Sequence, residues 1–592
     1  VEQKNISLVR YIYDLKKYKL YFFCCTNRFD VKKGGLMASS IEFNLLAPRN
    51  QGAALFGSFA DGKEIPMQKG KDGYFRTQVE LEDGIYHYKF RVQTKSPHFE
   101  PDQWVEVIDP YATDVDEAQK MGIVRIKDGQ RIVDTYVWQH DDTLLPNNQE
   151  IVIYEMHVAD FSGGEDDSNK RGKYVDAIAK LDYLCELGIN AIELMPVNEY
   201  PGDYNWGYKV RHYFATESSY GSTEDLKRLI DECHGRGIRV FLDGIYNHTD
   251  EECPLMLIDR NYWYYEHMHY PEDPANYWGP EFNYDNYDET LDVKPAWKFV
   301  GDVVRYWVQE YHIDGIRFDA VRQLANDEFL DWLAKQAKKN AAPKPFYNIA
   351  ENIPDTSKIT TPEGPLDACW HESFHYFVIP HICGETFELE KLKEVLDPRR
   401  QGYESTTNVI NYLATHDREH LFRELGDRGI FDEAAFGRAK LAAVLLMTAM
   451  GVPMLWMGEE FGEHKRKSEK VTQPKKMAWL LLERDLNRDF FEYYKKIIAL
   501  RKKHPALQGD YIEFFHEDPE AKVLAYVRGR DTSSRVVVIT NFSDTVLNQY
   551  QVPNCPEAGS WHEWMGNYEV EAGEEGIRID MGGYEAKVLV CQ

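Results

Sequence analysis

The chain has 592 residues, more than one hydrophobic core uses, since single cores stop growing near ~250–300 residues, so several domains are expected. Its 98 Asp and Glu against 69 Lys and Arg give a net charge of −29, which argues against nucleic acid or an anionic membrane as partner, since both need a basic face, and suits a protein handling a neutral ligand. Nine scattered cysteines without C-x-x-C spacing fit reduced thiols in a cytoplasmic protein rather than a disulfide framework or a zinc site, and no apolar run reaches the ~18 residues of a membrane-crossing helix.

Residues 1–36 begin with Val, and Leu20-Tyr21-Phe22-Phe23-Cys24-Cys25 is too short for the apolar part of a signal peptide. They are expected to be an upstream extension or tail, with translation starting at Met37. From 37 to 126 the text alternates in short stretches, as in Ile41–Leu46 and Tyr86–Val92, with the turn dipeptides Asp72-Gly73 and Asp83-Gly84 between them. That predicts an N-terminal β-sandwich. A linker at 127–149 follows.

At about 150 the rhythm changes to strand, helix, strand. Ile151–Val158 reads as a first strand, and Ile178, Leu181, Leu184, Cys185 and Leu187 as a helix stopped by Gly188. Ala191–Val197 is the second strand. Ser222 caps the next helix, whose Leu226, Leu229, Ile230 and Cys233 fall at i, i+3, i+4 and i+7. Ile238–Asp243 is the third strand, and 313–321, 346–352, 366–370, 410–417 and 453–459 supply five more. Strands alternating with helices pair in parallel, and eight of them close a barrel. The predicted fold is therefore α/β: a (β/α)8 TIM barrel over 150–511, with a C-terminal β-sandwich over 512–592. The stretch 249–292, rich in Tyr, Asn, Asp, Pro and Trp, reads as a long loop insertion over the barrel mouth.

Three carboxylates stand at the ends of three separate apolar runs: Asp319, Glu351 and Asp417. Acidic side chains rarely sit against buried strands unless paired or used. Polar residues gathered at strand C-terminal ends are what a TIM barrel arranges around its active-site mouth. Two carboxylates flanking one bond are the minimum equipment for cleaving a glycosidic linkage. Arg317, two residues before Asp319 on one strand, shares its face, and a guanidinium there is expected to lower the Asp319 pKa and keep it charged. Burial beside other carboxylates is expected to raise that of Glu351.

Four segments, Asp243-Gly244-Ile245-Tyr246-Asn247-His248, Gly315-Ile316-Arg317-Phe318-Asp319, Ala350-Glu351-Asn352 and Ala414-Thr415-His416-Asp417, resemble in order and spacing the signature regions of the α-amylase superfamily, glycoside hydrolase family 13. The resemblance covers roughly 150–510. It implies Asp319 as nucleophile, Glu351 as general acid/base and Asp417 as stabiliser of the oxocarbenium-like transition state. It further implies that Arg317, His248, His416, Tyr208, Trp206, Asp243, Asn247 and His157 surround the substrate. Among these, His248 and His416 would donate to sugar hydroxyls, Tyr208 would stack beneath the sugar, and Asp243 would support the site. The implied substrate is an α-glucan oligosaccharide or polysaccharide. No cofactor is implied, and no aspartate-rich loop stands out for a structural calcium, which stays open.

The N-terminal part resembles the family 48 carbohydrate-binding modules. Its Gly57-Ser58-Phe59-Ala60-Asp61-Gly62-Lys63 lacks the Trp that usually follows the Gly-x-Phe pattern, so a packing role is open. The favoured activity is hydrolysis of glycogen, starch or maltooligosaccharides, of α-amylase or debranching type. Tyr200-Pro201-Gly202 with Trp206-Gly207-Tyr208 resembles 1,4-α-glucan branching enzymes. Leu366-Asp367-Ala368-Cys369-Trp370-His371-Glu372-Ser373-Phe374-His375 resembles the hydrolases that release trehalose from maltooligosyl trehalose. A non-catalytic glucan-binding protein is disfavoured by the intact carboxylates.

Overall fold

The computed structural model describes residues 38–163, 170–202, 204–271, 274–467, 475–530 and 534–591. The segment 1–36 and the expected start at Met37 lie outside the described residues.

Eight parallel strands close a barrel: β1 (Ile153–Met156), β2 (Ala191–Leu194), β3 (Arg239–Gly244), β4 (Gly315–Phe318), β5 (Tyr347–Ala350), β6 (Ala368–Trp370), β7 (Val409–Tyr412) and β8 (Val452–Trp456). Ile151, Ile153, Ala191, Phe241, Tyr347, Ile349, Trp370, Ile410, Tyr412, Val452 and Met454 fill the interior as one buried cluster. The barrel is thus a packed core with its chemistry at the rim. Helices cover the outside. In α1 (Thr223–Gly235) the Ser222 hydroxyl accepts from the Asp225 N–H at 3.1 Å, and Leu226, Leu229, Ile230 and Cys233 are buried as their spacing predicts. The helix expected over 178–187 is two pieces, Tyr174–Ile178 and Leu181–Leu187, the second ending at Gly188 with φ 102°; Cys185 faces solvent.

Two of the site carboxylates directly follow strands that end one residue before them, at Phe318 and Ala350. The seventh strand is shorter than expected. Its pairing with β8 stops at Tyr412, and Thr415 starts a turn, its carbonyl accepting from the Arg418 N–H (3.0 Å) and its hydroxyl from the Asp417 N–H (3.1 Å). Asp417 therefore projects from a loop.

N-terminal to the barrel, a three-stranded and a seven-stranded sheet enclose Ile41, Phe43, Leu55, Phe75, Phe90, Val92 and Val124. The larger sheet runs on to a strand at Gln130–Ile132. The segment beyond it is pinned to α1: the Tyr136 hydroxyl donates to Asp231 (2.8 Å), and Lys227 pairs with Asp134 (3.0 Å). The insertion after β3 does more than overhang the mouth. Its helix Pro254–Trp263 bonds the N-terminal sheets: the Arg49 guanidinium holds Asp259, the Asn50 amide donates to the Ile258 carbonyl (2.9 Å), and the Thr94 hydroxyl donates to the Leu257 carbonyl (2.6 Å).

C-terminally, eight antiparallel strands share one continuous hydrogen-bonded sheet rather than two separate ones. One face closes on Val523, Ala525, Val537, Ile539 and Trp561, while Leu524, Tyr526, Val536 and Val538 join the core around the barrel. At that junction the fully buried Arg528 donates to the carbonyls of Tyr511 (2.8 Å), Gly509 (2.6 Å), Leu507 (3.3 Å) and Thr448.

Candidate active site

Arg317 is the hub of the mouth. On β4 its side chain is 1% exposed, and Nη1 donates to Asp243 Oδ1 (2.6 Å) and Asp319 Oδ1 (2.9 Å) while Nη2 lies 3.2 Å from Glu351 Oε2. The guanidinium also sits 4.4 Å from the Trp370 ring. Glu351 Oε2 accepts a hydrogen bond from the Ala320 N–H (2.8 Å). Nucleophile and acid candidates from adjacent strands thus share one cation.

A relay of short contacts joins Asp417 to this hub. The Tyr208 hydroxyl donates to Asp243 Oδ2 (2.6 Å) and lies 2.9 Å from His416 Nε2, which in turn is 3.3 Å from Asp417 Oδ2. Lys467 donates to the Asp417 carbonyl (2.7 Å) and lies 3.3 Å from its Oδ1. So the three carboxylates, spread over about a hundred positions of sequence, converge on one network.

The electrostatics differ from the expectation for Asp319. Burial pushes its carboxyl well above the ordinary range; Arg317 pulls against this, and Glu351 and Asp243 add to it. One guanidinium divided among three carboxylates cannot hold Asp319 low, which corrects the sequence reading. Asp417 behaves oppositely. Its side chain is 43% exposed. Such burial as it has disfavours the charge, but His416, Lys467 and Arg317 outweigh it and hold the carboxyl far below the usual range. For His416, burial opposes the charge, yet the Asp417 and Glu155 carboxylates push it up to about 10.

The remaining predicted residues fall in different places. Trp206 meets the His416 ring edge-on at 5.3 Å, and Tyr208 stacks on it at 5.2 Å. Both rings are half-buried beside the cleft. His248 is near the hub but 1% exposed, and its Nε2 donates to the Tyr208 carbonyl (2.8 Å); burial lowers it to about 4. It therefore braces the Tyr208 loop as a neutral ring instead of offering a donor to a sugar. The Asn247 amide is buried, 3.4 Å from His248 Nδ1. His157 is also fully occupied, bonded to Asp160 (3.1 Å), the Asn205 carbonyl (3.1 Å) and the Tyr220 hydroxyl (3.0 Å). It supports the loop that carries Trp206 and does not reach the carboxylates.

Sequence reasoning missed Glu155 and Glu193, cross-strand neighbours on β1 and β2, each 2% exposed. The signal was the one used for Asp319: an acid inside an apolar run. It also missed Lys467, the Glu372–Arg418 ion pair beside Asp417, and Trp278, whose ring lies 5.6 Å from His248. Nothing local distinguishes those residues in the text. Among the described residues no group of three or more His, Cys, Asp or Glu is placed to hold a metal ion, and no helix is long and apolar enough to cross a membrane.

The family model for the alpha-amylase catalytic domain matches residues 153–278, that for the alpha-amylase C-terminal all-beta domain 515–588, and that for carbohydrate-binding module 48 (isoamylase N-terminal domain) 30–112. Malto-oligosyltrehalose trehalohydrolase of Saccharolobus solfataricus is 25% identical over 78% of this chain and 85% of its own length. Pullulanase of Bacillus subtilis is 26% identical over 80% of this chain and 71% of its own length. The 1,4-alpha-glucan branching enzyme of Aquifex aeolicus is 25% identical over 92% of this chain and 89% of its own length. Among solved structures, pullulanase type I from Bacillus subtilis complexed with maltose superposes with a TM-score of 0.78 at 22% identity, covering 95% of this chain and 86% of that one.

Proposed function

The chain belongs to the α-amylase superfamily, and from that premise we propose that it is a retaining glycoside hydrolase of α-glucans such as glycogen, starch or maltooligosaccharides, of α-amylase or debranching type. The observation that carries this reading is Arg317 held between Asp319 and Glu351, with Asp417 tied in through His416 and Tyr208. A cation shared by nucleophile and acid keeps the two carboxyls close, as a double displacement requires (about 5–5.5 Å) rather than the wider gap of an inverting site.

In the proposed reaction Glu351 gives its proton to the glycosidic oxygen as that bond breaks, and Asp319 attacks the anomeric carbon to form a glycosyl ester. Glu351, now ionised, takes a proton from water, whose oxygen displaces Asp319 and restores both groups. Asp319 must be ionised to attack. A sugar ring seated in the cleft brings its developing positive charge against Asp319 and Asp417, which favours the ionised form. Asp417, held charged by His416 and Lys467, faces the oxocarbenium-like transition state. The pullulanase and branching-enzyme likenesses are compatible with the same triad.

A second reading, release of trehalose from maltooligosyl trehalose, is favoured by the 366–375 segment. It places Glu372 on Arg418, the residue next to Asp417, and the trehalohydrolase similarity points the same way. The test is incubation with amylose, glycogen, maltooligosaccharides and maltooligosyl trehalose. New reducing ends support hydrolysis, free trehalose supports the second reading, and new α-1,6 branches without reducing ends mean branching instead. Asp319→Asn should abolish any of these, because an amide cannot form the ester; retention of a tenth of wild-type turnover would overturn the assignment.

A further inference from the structure

Glu155 has no part in the bond-breaking steps above, yet it is built into the site more tightly than a core acid needs to be. It projects from β1. Its Oε1 accepts from His416 Nδ1 at 2.5 Å, and its Oε2 accepts from the His416 backbone N–H at 3.2 Å. Two contacts to one residue fix both the ring and the start of the turn that carries Asp417. The other ring nitrogen then has one direction left, toward the Tyr208 hydroxyl at 2.9 Å and Asp417 Oδ2 at 3.3 Å. Trp206 edge-on at 5.3 Å, and Trp370 and Trp456 at 6.1 Å and 6.3 Å, flank the imidazole, and the His416 side chain is 2% exposed.

We propose that Glu155 is a positioning residue for the reaction: by holding His416 at Nδ1 and at its backbone N–H, it aims Nε2–H at Tyr208 and Asp417 and so fixes the third carboxylate against the sugar. This rests on the α-glucan reading of the site. The arrangement is a carboxylate–histidine–carboxylate series in which both ring nitrogens face acceptors, which favours the imidazolium form. The charged and titratable groups facing that ring are Glu155 from β1, Asp417 from its own turn and Tyr208 from the loop after β2, with Glu193 on β2 acting across the barrel. Glu193 is pushed well above the carboxylate range by burial and by Glu155.

The experiment is a double-mutant cycle with a second readout. Glu155→Gln is isosteric and can still accept from Nδ1, but it removes the charge; His416→Ala removes the group through which Glu155 acts. An aryl maltooligoside, with a good leaving group, keeps slow variants measurable. Glu155→Gln is expected to lower kcat/KM about 10–100-fold, by analogy with carboxylate partners behind metal-ligating histidines, and to have no further effect in the His416→Ala background. In 15N-histidine-labelled protein, the His416 imidazole should stay doubly protonated past pH 8 in the wild type and lose its proton at lower pH in Glu155→Gln. The wild type turning over no α-glucan would instead overturn the functional reading beneath it. If the wild type is active but Glu155→Gln matches it, or costs the same factor with and without His416, or leaves the His416 titration unmoved, Glu155 is only a structural acid.

Discussion

Arg317→Lys tests the division of one cation among three carboxylates. Lysine keeps the charge but replaces a two-nitrogen fork with one ammonium. Arg317 reaches Asp243 (2.6 Å) and Asp319 (2.9 Å) through Nη1 and Glu351 (3.2 Å) through Nη2, and one ammonium cannot reproduce all three contacts. Asp243 makes the shortest of these and is also fixed by Tyr208, so the ammonium should stay with Asp243 and leave Asp319. A hydrogen bond to a charged group contributes about 1.5–3 kcal/mol, which corresponds to about 1–2 pH units in the carboxyl it stabilises. The sign follows from the site. Burial already raises Asp319 and Arg317 opposes that rise, so weakening the contact raises it further. The acidic limb of kcat/KM, which reports ionisation of the free enzyme, should move to higher pH by about 1–2 units. The rate at pH 5 should then fall about 10–100-fold, while near pH 8 the variant approaches the wild type. Reducing-end release from a maltooligosaccharide across pH 4–9 measures this, with circular dichroism to confirm folding. An unmoved acidic limb in a folded variant would refute the argument that Arg317 sets the ionisation of Asp319.

Two further outcomes concern stability. Burial pushes Glu459 up to about 8 and Glu460 up to about 7, although Tyr494 donates to the first (2.8 Å) and Tyr183 to the second (2.7 Å). A carboxyl raised on folding adds stability that is complete below its unfolded value, near ~4.3, and lost as pH rises through the folded value. The unfolding temperature should therefore fall between pH 5 and pH 9, and Glu459→Gln with Glu460→Gln should flatten that slope; an identical slope in the double variant would contradict the assignment. Arg528→Met should remove the guanidinium donor from the carbonyls of Tyr511, Gly509 and Thr448, while Leu507 keeps its bond from Arg501 (3.0 Å), at about 1–3 kcal/mol for each buried group left unpaired. Urea unfolding that shifted by less than ~1 kcal/mol would show that water replaces the guanidinium.

The barrel was legible because its strands are short apolar runs separated by amphipathic helices, and both signals survive in local sequence. The convergence of Asp319, Glu351 and Asp417 was legible because closing eight such strands brings their C-terminal ends to one rim. Contacts made across the rim were not legible. His248 carries the residue type of a sugar donor, but its Nε2 is taken by a backbone carbonyl forty residues earlier, and no pattern in the text records that. The Asp319 pKa was misjudged for a related reason. Arg317 two residues away suggested a private partner, while Asp243 and Glu351, from the strands on either side, claim the same guanidinium. The seventh strand was read too long because Leu413 and Ala414 are apolar and buried without being paired, and burial alone does not make a strand.

The bolt between the insertion helix and the N-terminal sheets has a practical consequence for anyone dissecting this enzyme. Asp259 is almost wholly enclosed and its counter-ion, Arg49, comes from the sandwich, as do the donors that satisfy the Leu257 and Ile258 carbonyls. Cutting the chain before β1 would orphan all three groups within the same excursion that returns through Glu281 to pair with His248. The leading domain thus braces the excursion that reaches His248, and a trimmed barrel would arrive with that excursion unsupported.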